Sequence, residues 1–318
     1  MEEKYAVGVD VGGQSCKIGV VDTEGGILVR SVMSSKGFVK GEDFVSALAD
    51  SILELIDLSG KKGKIVGVGV GAPNGNYYTG TIAFAPNLPW AAHGSVDFSR
   101  MLSEKLSGLP VTLTNDANAA AMGEMTYGVA KGLRHFIMIT LGTGVGSGIV
   151  VNGEILYGSD GFAGELGHTC AVRHGGRLCG CGKTGCLETY CSATGVARTA
   201  REWLDMNNEP SLLRDKVEIT SKDVYEAALQ GDALAKSIFE YTGHILGAQF
   251  ADFVAFSAPE AIVLFGGLAR AKEFIYEPVV EAMEANTLKI WKNKVKVLFS
   301  SLKESDAAIL GASALAWK

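Results

Sequence analysis

His168, Cys179, Cys181 and Cys186 fall in one short stretch, with Gly180, Gly182 and Gly185 among the cysteines. One imidazole and three thiolates make a tetrahedral Cys₃His set for zinc. Four protein ligands close the tetrahedron, so such a zinc is structural rather than a water activator. A glycine-rich segment has little core of its own, and metal would order it. The plainer reading is three reduced thiols and a surface histidine. Glu165 and Glu188 each stand within three residues of a candidate ligand. The metal would hold these carboxylates rigidly beside a histidine whose second ring nitrogen is left to donate. Carboxylates mixed with donors suit a polyol such as a sugar, whose hydroxyls both give and accept; the alternative for two glutamates is surface solvation. Cys16, Cys170 and Cys191 are expected to be small buried residues rather than ligands.

Two glycine-rich turns come next. Asp10-Val11-Gly12-Gly13-Gln14-Ser15 is followed by Lys17, and Leu141-Gly142-Thr143-Gly144 by Val145 and Gly146. Small residues let backbone N–H groups approach phosphate oxygens, and hydroxyls add donors. Asp10 could hold Mg²⁺ through water, since that ion prefers oxygen ligands and keeps its waters. A dinucleotide fingerprint needs a helix directly after its glycines. Both turns run into strands instead, which argues against one, and no Gly-Lys-Ser/Thr follows Gly144 to make a P-loop. Either turn alone reads as a tight hairpin; two such turns, one led by an aspartate, point to phosphate.

Asn115, Asp116 and Asn118 lie where a short strand gives way to an alanine-rich helix. A carboxylate at a strand end often faces the ligand crevice of an α/β protein. Asp116 could accept a proton from a substrate hydroxyl as it attacks a phosphoryl group. Asn and Asp are also favoured helix N-caps, so one of Asn115 and Asp116 could cap while the other faces ligand.

The elements that must position these groups are legible in outline. Residues 5–29 and 136–156 each read as strand, glycine turn, strand, tight turn, strand, about 130 residues apart. The Asn152-Gly153 turn is a strong hairpin signal. The same β-meander twice implies two related α/β lobes with a cleft between them. Phe44, Leu48, Ile52, Leu55 and Ile56 keep helical spacing over 42–58. Strands are expected over 65–70, 111–113, 261–265 (ending in Gly266-Gly267) and 295–298. Thr220 to Asp223 is a capping-box pattern. A long apolar helix is expected over 233–256, and a closing helix 306–317 with Ser305 as its N-cap.

The chain of 318 residues is 47% hydrophobic and carries a net charge of −6. That length suits about two domains, and the acidity argues against a nucleic-acid partner. No signal peptide and no membrane-length apolar run is visible. Six cysteines, three at metal-like spacing, fit a reducing cytoplasm rather than a disulfide framework.

The run Leu141-Gly142-Thr143-Gly144, Asn152-Gly153, Gly158, Gly161, Gly164-Glu165-Leu166-Gly167-His168 resembles the signature of the ROK family of sugar kinases and sugar-responsive repressors. Cys179-x-Cys181-Gly-x-x-Gly-Cys186-x-Glu188 is similar to that family's zinc motif. Pro86-Asn87-Leu88-Pro89-Trp90 and Asn115-Asp116-Ala117-Asn118 also match, and the resemblance covers essentially the whole chain. It implies an α/β fold of two duplicated actin-like ATPase (ribonuclease H-like) lobes, with an interlobe cleft and a zinc-binding loop. Residues 1–115 with the helix 305–318 would form the small lobe, carrying the first phosphate turn and part of the sugar site. Residues 116–304 would form the large lobe, with the second turn, the sugar motif and the zinc motif.

The resemblance also implies roles. Asp116 would be the general base for the 6-hydroxyl of a hexose. Asn87, Asn115, Glu165, His168 and Glu188 would contact sugar hydroxyls, with Gly75 and Asn76 helping to discriminate sugars. Asp10, Gly12, Gly13, Gln14, Ser15, Lys17, Gly142, Thr143 and Gly144 would surround the ATP phosphates, with Gly266-Gly267 on the adenosine side. His168, Cys179, Cys181 and Cys186 would hold the structural Zn²⁺, and Mg²⁺ would accompany ATP. The expected activity is a cytoplasmic, ATP-dependent hexose kinase, glucose first among its substrates, working as a homodimer or homotetramer. Fructose, mannose, allose, N-acetylglucosamine and N-acetylmannosamine are the alternatives. A repressor is disfavoured by the lack of room for a helix-turn-helix before the first strand and by the acidic charge. A sugar-binding protein without kinase activity is the remaining reading. It rests on Gln14, which stands where the family usually has Thr.

Overall fold

The computed structural model describes residues 3–317. Both meanders form. The first is β1 (Tyr5–Val11), β2 (Ser15–Asp22) and β3 (Ile27–Ser34), followed by helix α1 (Gly41–Ser59) and strand β4 (Ile65–Gly71). A short hairpin, β5 (Ile82–Ala83) with β6 (Ser95–Val96), leads into α2 (Phe98–Lys105), β7 (Val111–Thr114) and α3 (Asp116–Tyr127). The second meander is β8 (Phe136–Leu141), β9 (Val145–Val151) and β10 (Glu154–Ile155). Four helices follow: α4 (Glu188–Cys191), α5 (Ala193–Met206), α6 (Ser221–Leu229) and α7 (Ala233–Ser257). The chain closes with β11 (Ala261–Phe265), α8 (Lys272–Asn286), β12 (Lys296–Phe299) and α9 (Glu304–Ala314).

The two five-stranded sheets have the same order, β3-β2-β1-β4-β7 and β10-β9-β8-β11-β12. In the first, β1 pairs antiparallel with β2 and parallel with β4. In the second, β11 lies parallel to both β8 and β12. Central strand β1 is apolar on both faces and almost wholly buried, as a strand covered on both sides must be. Edge strand β3 alternates between half-buried and exposed positions.

By contacts the chain divides into two units. The first holds residues up to Gly132, Gly148–Ala163 and residues from Ser301 on; the second holds Leu133–Ser147 and Gly164–Ser300. This division differs from a break at 115/116, because α3 stays with the first unit. Helix α9 packs across β1, β4 and α3, and the approach is close enough to demand glycine. A Cβ on Gly69 would stand 1.8 Å from Ala312 O, and one on Gly123 would stand 2.8 Å from the Gly311 Cα. The core of the first unit gathers Phe44, Leu48 and Ile52 of α1 with Val7, Val9, Phe98 and Leu113.

Helix ends follow local chemistry with one correction. Thr220 and Asp223 form the expected capping box. The closing helix, however, takes Lys303 as its N-cap, without a side-chain cap bond. Ser305 lies inside the first turn and donates its hydroxyl to Asp306, so it has no free role at the helix start. Among the described residues no helix is long and apolar enough to cross a membrane.

Candidate functional site

In the first unit the polar groups converge on the carboxyl ends of β1 and β7. Asp10 is the penultimate residue of β1, and Lys17, its ladder partner on β2, brings Nζ to 3.8 Å from Oδ2. Burial raises the Asp10 pKa; Lys17 pulls it down and the nearby Asp116 charge adds to the rise. The turn after Asp10 is closed by Gly12 N–H donating to Ser15 O at 3.0 Å. Gly13 packs so tightly on Asn87 that a Cβ would come within 2.9 Å of Asn87 O. Gln14 is exposed, and its carbonyl accepts from Ser35 N–H at 3.2 Å.

The choice between Asn115 and Asp116 is decided by the backbone. Asn115 is extended and its Oδ1 accepts from Asn118 N–H at 2.7 Å, so Asn115 caps α3. Asp116 is thereby left as the first helical residue, and its Oδ1 accepts from Ala117 N–H at 2.9 Å. It is solvent-accessible, yet protein atoms crowd the carboxyl and raise its pKa. The N–H groups of Ala117 and of Asp116 itself oppose that rise. The result is an aspartate that is a better proton acceptor than an ordinary one.

Asn76 plays a different part from a free ligand contact. Its Oδ1 accepts from Tyr78 and Thr79 N–H, and its Nδ2 donates to Asp160 O at 2.6 Å. The whole amide is thus committed within the first unit. Gly75 lies against Thr114, 2.5 Å from its carbonyl if a Cβ were added. Sequence reasoning passed over Tyr157, whose ring stacks on Tyr77 at 4.0 Å beside this turn. No periodic signal marks that pair. It also passed over Asn118 as a site residue. Asn118 is buried, donates to Thr114 Oγ1 at 3.3 Å and leaves its own Oδ1 without a partner.

In the second unit the turn between β8 and β9 is held from two sides. Gly142 N–H bonds Gly144 O at 3.0 Å, while Ala193 N–H and Thr194 Oγ1, at the start of α5, donate to the carbonyls of Gly142 and Thr143. On the other side Glu188 Oε2 accepts from Val145 N–H at 2.9 Å. Gly266 sits at φ 106° directly against Leu141, with Gly267 opening a 3₁₀ turn. Ser147 donates to Gly164 O and accepts from Leu166 N–H, which fixes the segment that carries Glu165 and His168.

The ligand atoms of His168, Cys179, Cys181 and Cys186 all lie within 4.8 Å of one another. His168 Nδ1 is 3.7 Å from Cys179 Sγ, and Cys181 Sγ is 3.7 Å from Cys186 Sγ. A tetrahedral zinc with bonds of about 2.3 Å to sulfur and about 2.0 Å to nitrogen sets such edges at roughly 3.5–3.8 Å. The four residues therefore fit a zinc, with Nδ1 turned toward the other ligands and Nε2 left over. The loop is fastened at its root by Arg177, which is buried. Its guanidinium reaches Glu202 at 2.5 Å, Thr199 Oγ1 at 2.9 Å and Thr189 O at 2.8 Å. Cys16 and Cys191 are buried as expected, but Cys170 is exposed. It lies opposite the buried Cys186 on an isolated two-residue bridge.

The sequence model of the ROK family matches residues 6–318. The chain belongs to the ROK family. A glucokinase of Halalkalibacterium halodurans is 38% identical over 98% of this chain and 94% of its own. A ROK glucokinase of Streptomyces griseus, solved with glucose and AMPPNP, is 33% identical, covers 98% of each chain and superposes with a TM-score of 0.77. The family also holds regulators: the xylose repressor of Caldicellulosiruptor bescii is 27% identical over 97% of this chain and 77% of the repressor. Within this ROK chain, Asn87 packs on Gly13 of the first glycine turn, and Glu188 accepts from Val145 N–H beside the second.

Proposed function

We propose that this chain is an ATP-dependent hexose kinase that transfers the γ-phosphoryl group to the 6-hydroxyl, with glucose as its leading substrate. The observation that carries the reading is Asp116: Asn115 takes over the capping, and crowding raises the Asp116 pKa. The hexose 6-oxygen attacks the γ-phosphorus, its proton passes to the Asp116 carboxylate, and the bond from the γ-phosphorus to the bridging oxygen breaks to release ADP. Asp116, Asn115, Asn87, Glu165, His168 and Glu188 would contact the sugar. Asp10 to Lys17 and Gly142 to Gly144 would contact the phosphates, with Gly266-Gly267 on the adenosine side. Mg²⁺, held through water near Asp10, would offset phosphate charge.

We read the two units, with their repeated strand order, as the lobes of an actin-like ATPase fold. The Cys₃His set is read as a structural zinc that braces His168, with Nε2 free to donate to a sugar oxygen. The cytoplasm is the compartment, a reading supported by six free cysteines. A homodimer or homotetramer is carried over from the family alone. A coupled ADP-release assay with ATP, Mg²⁺ and a panel of hexoses tests the central reading. Sugar-stimulated turnover, fastest with glucose, is expected; turnover with none of the hexoses refutes it.

A further inference from the structure

Glu188 belongs to two neighbourhoods at once. It opens α4 directly after the zinc loop, and its Oε1 lies 3.8 Å from Cys179 Sγ. Its Oε2 holds the amide of Val145, the residue that follows the second glycine turn. A Cβ on Gly144 would stand only 2.2 Å from Oε2 and 3.1 Å from the carboxyl carbon. Gly144 is not among the left-handed residues, so its missing side chain answers to Glu188 and not to backbone geometry. Gly142, in the same turn, has nothing within 4 Å of an added Cβ.

We propose that Glu188 is a positioning residue that couples the nucleotide turn to the sugar, a proposal that rests on the kinase reading above. A carboxylate has about four lone-pair sites; Val145 N–H engages one and Cys179 Sγ approaches another, which leaves further sites open. A sugar hydroxyl that donates to a second site fixes the Glu188 rotamer and, through Oε2, the plane of the Gly144–Val145 peptide. Phosphate oxygens that bind the turn fix the same peptide from its other side. Each ligand meets a partner already ordered by the first, and linkage makes the gain reciprocal. Sugar should raise nucleotide affinity, and nucleotide sugar affinity, by about fivefold or more.

The test is glucose affinity measured calorimetrically without nucleotide. Gly144→Ala drives its methyl into the carboxylate and should weaken glucose binding roughly tenfold or more, the scale of one charge-assisted hydrogen bond. Gly94→Ala, with nothing within 4 Å of the added Cβ and no place among the proposed ligand residues, should keep the parent's glucose affinity. In a Glu188→Ala background, Gly144→Ala should cost nothing further. Equal glucose affinity in Gly144→Ala and the parent overturns the coupling alone. A parent that binds no hexose removes the kinase reading and the coupling with it. Hydrogen exchange on the unmutated protein needs no variant to fold: saturating glucose alone should slow exchange across residues 142–146, and unchanged exchange there also overturns the coupling.

Discussion

The two glycine turns occupy matching places in sheets of the same strand order, yet they are secured by different means. Asp10 is the last residue but one of the strand entering the first turn, and Lys17, seven residues on, faces it across the ladder. In the second meander the same positions hold Thr140 and Ser147. Ser147 anchors the Gly164–Leu166 segment with its hydroxyl, and the acid near the turn is Glu188, which arrives from beyond the Cys179–Cys186 loop. One copy of the frame keeps its charges on its own strands, beside the Asp116 carboxyl. The other has given the Lys17 position to loop anchoring through Ser147, and borrows its charge. A repeated scaffold can thus be secured by different means in its two copies.

The largest effect is expected in the first unit. Asp116→Asn should lower kcat by about 10²- to 10⁴-fold, the range of a lost general base, with sugar binding retained; full activity refutes the assignment. In the second unit, Cys181→Ser should reduce zinc from about one equivalent per chain. It should also weaken sugar binding about tenfold or more, as seen when metal-supporting groups are lost; metal analysis alongside a sugar titration reads both. Arg177→Ala removes the buried cation at the root of the zinc loop and should destabilise the protein by about 3 kcal/mol in denaturant unfolding. Arg100, in the first unit, is an exposed partner of Asp97 and Glu104, and its removal should leave the denaturant midpoint almost unchanged.

The pH dependence sharpens the comparison further. Because the Asp116 pKa is raised, the base is protonated, and kcat/KM falls, at a higher pH than for an ordinary aspartate. A raised acid also favours folding only while it is neutral. Asp116→Asn should therefore raise the thermal midpoint modestly at neutral pH, and the gain should vanish below the unfolded carboxyl's pKa, near 4. The smallest effect is expected from Gln14→Thr, which should shift the nucleotide KM a few-fold and leave the sugar KM in place, an outcome steady-state kinetics can read.

Much of this was legible because it is local. Strand, turn, strand and the spacing of Cys179, Cys181 and Cys186 are short-range patterns, as is the capping box at Thr220. What could not be read depends on contacts between distant segments. Asn76 looks like a ligand residue until Asp160 and Tyr78 are brought beside it. Glu188 looks like a sugar contact alone until Val145, far up the chain, is seen to donate to it. Asn115 and Asp116 are equally good caps by residue type, and only the extended backbone at 115 separates them. The 115/116 lobe break followed the motif order and had no access to the packing of α3 on α9.

That packing ties Asp116 to a segment far from it along the chain. The helix that opens with Asp116 rests on α9, through contacts as close as Gly123 on Gly311. With α9 undocked, α3 has no floor, and β1 and β4 leave the glycine backbone of Gly8 and Gly69 uncovered. A cut that frees α9 should therefore disturb Asp116 without touching any residue proposed to meet a ligand.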